Sequence, residues 1–171
     1  PGHGEAVAQV LACGSGLTIQ HTRIGRGPSA NYPIVIGHEI TGEITSVGTD
    51  VKSLLVGDPV TCFFYLDCGQ CKWCLSNRPT LCDSLVGHVG RQIDGGYAEY
   101  MKAPAHNFIK IPDSLDLELA ALSEPASCCL SGAEMMDIPN KAVGVVIGGG
   151  IMGLFTLAFL KRRGIETMIM S

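Results

Sequence analysis

Four clustered cysteines constrain this chain more than any other feature. Cys68, Cys71, Cys74 and Cys82 read C-x2-C-x2-C-x7-C, a spacing that aims several thiolates at one centre, as tetrahedral zinc requires at about 2.3 Å from each sulfur. Gly69 eases the turn, and Lys72 and Arg78 offset the charge of four thiolates. With every position filled by protein the ion has no open site, so its expected role is structural. An iron–sulfur site of the C-x2-C-x2-C-x3-C-P kind differs in its last spacing and in the proline, and Pro does not follow Cys82. A disulfide pair is the other alternative and needs an oxidising compartment. Residues 1–4 lack the basic, apolar and small-residue pattern of a secretory signal, so a cytoplasmic setting and metal binding are expected.

Composition narrows the class. The chain has 171 residues, 46% of them hydrophobic and 16% charged, with a net charge of −4. That is enough apolar material for a core, and too little clustered basic charge for nucleic acid or a membrane surface. One uncharged run, residues 142–160 followed by Lys161, Arg162 and Arg163, has the length of a membrane span. Gly144, Gly148, Gly149, Gly150 and Gly153 interrupt it, with a β-prone segment before and helix formers after. Strand, glycine turn and helix is the simpler reading, and no membrane partner is expected.

Up to about residue 112 the pattern is short strands and turns, with strands expected at 5–12, 43–47 and 59–65. Turn signals stand at Gly57-Asp58, at residues 77–79 and at Asp94-Gly95-Gly96. Little helix is expected there, and the fold class is a small β-barrel-like domain. From Asp113 onward helix dominates. Asp116 is an N-cap for a helix over 117–123, which Pro125 should end or bend at Glu124. A second helix runs from Pro125 towards Met136, and Pro139-Asn140 makes a loop. Strand 142–147, helix 150–163 and strand 165–170 close the chain.

Gly148-Gly149-Gly150-Ile151-Met152-Gly153 satisfies G-x-G-x-x-G between that strand and helix. Gly148 allows the turn, Gly150 admits a pyrophosphate and Gly153 lets helix and strand pack. The helix N-terminus at Ile151 and Met152 offers N–H groups to phosphate. The acidic residue about twenty positions on, which would contact the ribose, falls at or beyond Ser171, so NAD and NADP stay undistinguished. Six parallel strands make a full dinucleotide fold and two are found here. The chain is expected to be a fragment, or a short protein completed by a partner.

Taken together, Gly37-His38-Glu39, Val56-Gly57-Asp58-Pro59-Val60, the four-cysteine lobe, Gly95-Gly96-Tyr97-Ala98-Glu99-Tyr100, Glu124-Pro125 and Gly148–Gly153 resemble the zinc-containing medium-chain alcohol dehydrogenase family. The resemblance covers essentially the whole chain, and is nearest to the polyol and threonine dehydrogenase-like branch. It implies a GroES-like catalytic domain over 1–123, with a structural-zinc lobe at about 66–83, and an incomplete Rossmann domain over 124–171. It implies a catalytic zinc held by His38, with Glu39 as adjacent carboxylate or ligand and Glu124 as the later ligand. The thiolate has two alignments. Cys13-Gly14-Ser15-Gly16 matches the family's Cys-Gly-Ser/Thr-Asp with a short gap, making Cys13 the ligand and Ser15 the proton relay. Without a gap the ligand position falls on Gly16 and no thiolate is supplied.

The resemblance therefore implies hydride transfer between a small alcohol or carbonyl compound and NAD or NADP, and homo-oligomerisation is compatible with it. Two rivals stand beside it: a zinc-poor reductase of the same fold, and a non-enzymatic, zinc-stabilised truncated module. Little turnover is expected of this chain alone. Cys62, Cys128 and Cys129 read as small buried residues.

Overall fold

In a computed structural model, residues 1–26, 32–139 and 141–170 are described. Asn140 and Ser171, on which the expected loop and the chain end fall, lie outside them. The chain divides into two compact units, Pro1–Leu122 and Ser123–Ser171.

The first unit is built on antiparallel strands. β1 (Glu5–Cys13) pairs with β2 (Ile40–Val47), and β3 (Pro59–Cys62) pairs on the far side of β2. β4 (Tyr65–Leu66) and β5 (Gly87–His88) form a separate two-stranded ribbon. β6 (Tyr100–Pro104) and β7 (Phe108–Lys110) complete a five-stranded sheet in the order β6-β1-β2-β3-β7. Alternation along β1 and β2 buries Ala6, Ala8, Ile40 and Ile44, which meet Val60, Cys62, Met101 and Phe108 in one core. Register shifts between Val7 and Ala8 and between Val10 and Ala12 bend β1, as bulges do near the rim of a curved sheet.

Several expected elements change. The single strand at 59–65 breaks into β3 and β4 because Asn107, fully buried, donates from Nδ2 to the carbonyls of Phe63 and Tyr65 at 2.9 and 2.8 Å. A side-chain amide thus takes the place of a partner strand. A helix, α1 (Leu17–Arg23), follows β1 where turns were expected; it buries Ile19 and Thr22 and starts at Gly16 with no side-chain cap. A four-residue turn of helix, α2 (Lys72–Leu75), lies within the cysteine lobe.

Asp116 caps α3 (Leu117–Ala120), its Oδ1 accepting from Glu118 and Leu119 N–H at 2.9 and 3.0 Å. The expected helix over 117–123 is shorter, and Ser123 opens the next one, α4 (Ser123–Met135). Pro125 does not end a helix at Glu124. It sits in the first turn of α4, where an N–H has no intrahelical acceptor anyway.

The second unit joins α4 to β8 (Val143–Ile147), α5 (Ile151–Arg162) and β9 (Glu166–Met170). β8 and β9 pair in parallel from Val143↔Glu166 to Ile147↔Met170, and α5 crosses between them. Ala133, Val146 and Leu160 form its small core, with Phe159 and Ile169 against them. Arg163 donates to Ala133 O and Met136 O, closing the C-terminal end of α4. The uncharged run is shared between a strand and a 12-residue helix. Among the described residues no helix is long and apolar enough to cross a membrane.

Candidate metal centre and nucleotide-binding turn

The cysteine lobe runs from β4 through α2 to Cys82, and its four sulfurs lie within 4.8 Å of one another. Cys71 Sγ is 3.4 Å from Cys74 Sγ and 3.9 Å from Cys82 Sγ, and Cys68 Sγ is 3.9 Å from Cys74 Sγ. Sulfurs arranged tetrahedrally at about 2.3 Å from an ion stand about 3.8 Å apart, so the cluster fits zinc. Gly69 takes a positive φ of 68° at the bend, and the N–H of Cys68 points at Cys82 Sγ at 3.4 Å. Backbone N–H groups of Cys74 and Asp83 pull the Cys71 thiol down to about 6, and those of Gln70 and Cys71 lower Cys68. Desolvation raises Cys74. N–H groups aimed at sulfur stabilise thiolate, the metal-binding form.

His38 stands just before β2 and is 5% exposed. Its Nδ1 is buried with no hydrogen-bond partner. Burial, then the charges of Arg91 and His88, push the imidazole down to about 4, so it is neutral at pH 7 and able to offer a lone pair. Its ring packs on Phe64 at 5.0 Å, and Phe64 packs on His88 at 5.6 Å. The loop before His38 is held by a backbone crossing. A Cβ at Gly90 would meet Gly37 O at 2.6 Å, and one at Gly95 would meet the same atom at 2.1 Å. Only glycine permits that approach.

Glu39 O accepts from Gly14 N–H at 2.8 Å, which ties the end of β1 to the start of β2. The Glu39 carboxylate lies over the turn after β1: a Cβ on Gly16 would stand 3.1 Å from its Oε1. Cys13 Sγ faces elsewhere, towards Gly37 and Gly96, where added Cβ atoms would stand 2.7 and 3.1 Å from it. Burial, with help from Glu39, pushes the Cys13 thiol up to about 12. Ser15 is exposed in the same turn. Of the other cysteines, Cys62 and Cys129 are buried as expected, whereas Cys128 is exposed on α4, its Sγ 3.5 Å from Glu124 Oε1. Glu124 lies in the first turn of α4, in the second unit.

In the second unit the glycine turn joins β8 to α5. Gly148 has φ 108° and Gly150 is the N-cap of α5 in extended backbone. A Cβ on Gly153 would fall 1.9 Å from Gly148 O, while at Gly150 nothing lies within 4 Å. Space at Gly150 and half-exposed Ile151 and Met152 leave the first N–H groups of α5 accessible, which suits a phosphate group.

The first unit is thus a β domain whose four clustered cysteines could hold a metal ion, and the second contains a parallel β-α-β unit with a glycine turn. Residues 2–113 match the alcohol dehydrogenase GroES-like domain, and the chain belongs to that family. It is 32% identical over 173 residues to L-threonine 3-dehydrogenase of Yersinia enterocolitica, covering 99% of this chain and 50% of that protein. It superposes on the cobalt- and zinc-bound thermostable alcohol dehydrogenase of Pyrobaculum aerophilum with a TM-score of 0.92 at 29% identity, covering 100% of this chain and 52% of that one. Galactitol-1-phosphate dehydrogenase of Escherichia coli gives 0.82 at 26% identity, covering 98% and 55%. The chain thus spans about half the length of these relatives.

Arg91 is the residue that sequence reasoning missed. It is half-buried, its charge acts on His38, and its Nε is buried without a partner. No periodicity or motif marks it.

Proposed function

We propose that this chain is the N-terminal portion of an NAD(P)-linked alcohol dehydrogenase. Residues 1–123 would be the GroES-like catalytic domain, with its structural-zinc lobe at about 66–83, and residues 124–171 the start of a Rossmann domain. The observation that carries the reading is His38: a buried, neutral imidazole with an unpaired ring nitrogen, followed at once by a carboxylate, in a domain matched over residues 2–113.

His38 and Glu39 would hold a catalytic zinc, and Glu124, in the other unit, enters the proposal on the resemblance. When bound, zinc supplies a Lewis acid for the substrate oxygen and the nicotinamide supplies the hydride chemistry. The chain's own residues do the rest. His38 is kept deprotonated by burial and by neighbouring positive charge, so a proton does not compete for its lone pair near neutral pH. Phe64 and the Gly37–Gly90 crossing fix its ring and backbone. Ser15, in the exposed turn after β1, would pass the hydroxyl proton to solvent. Gly148, Gly150 and Gly153, with the N–H groups of Ile151 and Met152, would cradle the pyrophosphate of NAD or NADP. The substrate class is a small alcohol or its carbonyl counterpart; the relatives' names specify threonine and galactitol 1-phosphate.

Gly16 supports a second reading, a zinc-poor reductase. The Glu39 carboxylate lies against Gly14 and Gly16, while Cys13 Sγ lies against Gly37 and Gly96, an arrangement compatible with the ungapped alignment with no thiolate. Native mass spectrometry of the chain and of Cys13→Ser separates the two. Two zinc ions falling to one support Cys13 as a ligand, and two in both proteins support a centre built on His38 and carboxylates alone. A single zinc in both puts the zinc-poor reading ahead.

A further inference from the structure

Sheet parity separates the two side chains that could stand with His38. Cys13 pairs with Ile40 across β1 and β2, and directly opposed residues leave an antiparallel ladder on the same face. Both pack into the core of the first unit. A Cβ on Gly96 would meet Ile40 Cγ1 at 2.5 Å and Cys13 Sγ at 3.1 Å, so sulfur and isoleucine crowd one stretch of backbone. Glu39, one residue before Ile40, turns the other way. A Cβ on Gly14 would fall 2.1 Å from its Oε2, and one on Gly16 would stand 3.1 Å from its Oε1. The carboxylate occupies space that exists because neither glycine has a side chain.

The donors that gather at His38 are correspondingly nitrogen and oxygen. A ring nitrogen of His38 and a carboxylate oxygen of Glu39 lie within 4.8 Å of each other, and among the described residues Cys13 Sγ does not join them. His38 Nδ1 is buried without a hydrogen-bond partner, a desolvated polar atom that leaves the ring short of a contact. The cysteine lobe is the opposite case, four sulfurs and no imidazole. Thiolates select zinc and other soft ions, carboxylate with water suits manganese(II), and imidazole suits iron(II) and zinc alike.

We infer that the chain carries two metal sites of opposite chemical character: the thiolate lobe, and a sulfur-free centre on His38 and Glu39 that takes a hard-to-borderline divalent cation such as manganese(II) or iron(II). This rests on the proposed reading that His38 and Glu39 hold a metal, and departs from it in the ion and in leaving Cys13 out. Cys13 is a core residue, and its loss leaves the donors of the centre intact. The two sites then load independently, the lobe with zinc and the centre with manganese or iron, each according to its own supply.

The test loads the 171-residue chain with one equivalent of zinc, which the lobe takes first. Manganese(II) is then titrated by the loss of its free-ion electron paramagnetic resonance signal. One manganese per chain should bind; Glu39→Gln should weaken it about tenfold or more and Cys13→Ala less than about threefold. Cobalt(II) in place of manganese should give d–d absorption without a sulfur-to-cobalt charge-transfer band. The metal-free chain, whose lobe takes cobalt and shows that band, is the control. If Glu39→Gln does not fold, manganese should still broaden the His38 ring resonances of the unmodified chain. A charge-transfer band that Cys13→Ala abolishes, or a second zinc bound while manganese is refused, overturns the inference and leaves a zinc-dependent dehydrogenase standing. Manganese bound equally well by Glu39→Gln, or without broadening His38, also overturns it. A chain that binds no second ion of any kind overturns both the inference and the metal-dependent form of the dehydrogenase reading.

Discussion

Replacing Gly153 by alanine should destabilise the second unit, against the usual effect of that change in a helix. Alanine normally gains about 1 kcal/mol over glycine in a helix interior. At Gly153 the new Cβ would lie 1.9 Å from Gly148 O, a backbone atom. Carbon and carbonyl oxygen approach to about 3.3 Å at closest, so helix and turn must part by about 1.4 Å (3.3 − 1.9). Overpacking of that kind costs up to about 3 kcal/mol, leaving a net loss of about 2 kcal/mol. A unit of this size has only about 2–7 kcal/mol to lose. Gly132 is the internal control: it lies within α4, and nothing stands within 4 Å of its added Cβ. Gly132→Ala should therefore stabilise the same unit by about 0.5–1 kcal/mol. Urea titration read at the Val146 amide by NMR isolates this unit from the rest. Gly153→Ala at or above wild-type stability would show that the crossing of turn and helix is not the constraint described.

Three further outcomes follow from the geometry. Asn107→Ala leaves the carbonyls of Phe63 and Tyr65 without their donor in a buried place, and should cost about 2–4 kcal/mol in a thermal or denaturant melt; a loss under 0.5 kcal/mol would mean the bend is held by something else. Cys71→Ser should lower the bound metal by one ion per chain in native mass spectrometry and loosen the lobe, seen as a change in the emission of Trp73; unchanged stoichiometry would exclude a four-sulfur site. Asp58 is lowered by Lys110, whose Nζ stands 2.7 Å away, and by Leu55 N–H. A depressed carboxyl stabilises above its unfolded value of about 4 and loses that contribution as pH falls through the folded one. Asp58→Asn should therefore flatten the acid side of the stability profile and leave the pH 7–9 region as in the parent chain; an unchanged acid limb contradicts the pairing.

What could be read in advance was local chemistry. Asp116 announced its helix because a cap and its donors lie within three residues, and the glycines around Gly150 announced a turn because the strand and helix beside them are contiguous. The cysteine cluster was legible for the same reason. What escaped depends on distant neighbours. The break between β3 and β4 is imposed by Asn107, more than forty residues away in sequence. α1 opens on Gly16 without a capping side chain, so nothing announces it. Pro125 stands in the first turn of α4, as its suitability for a helix start suggests, but the preceding helix ends earlier, at Ala120. Arg91 acts on His38 only through a fold-level approach, the crossing of Gly90 over Gly37, which no local motif announces.

The cysteine lobe has a consequence for the life of the chain. Neither α2 nor the turn at Pro79–Leu81 buries a residue, and Leu75 and Leu81 point outward. With so little apolar interior, a lobe of this kind would be ordered by an ion held on its four cysteines, and its stability would then follow the free concentration of that ion: each tenfold dilution would remove about 1.4 kcal/mol. Where metal runs short, such a lobe would loosen and be offered to proteases, so metal supply would set how long the protein lasts as well as what it can do.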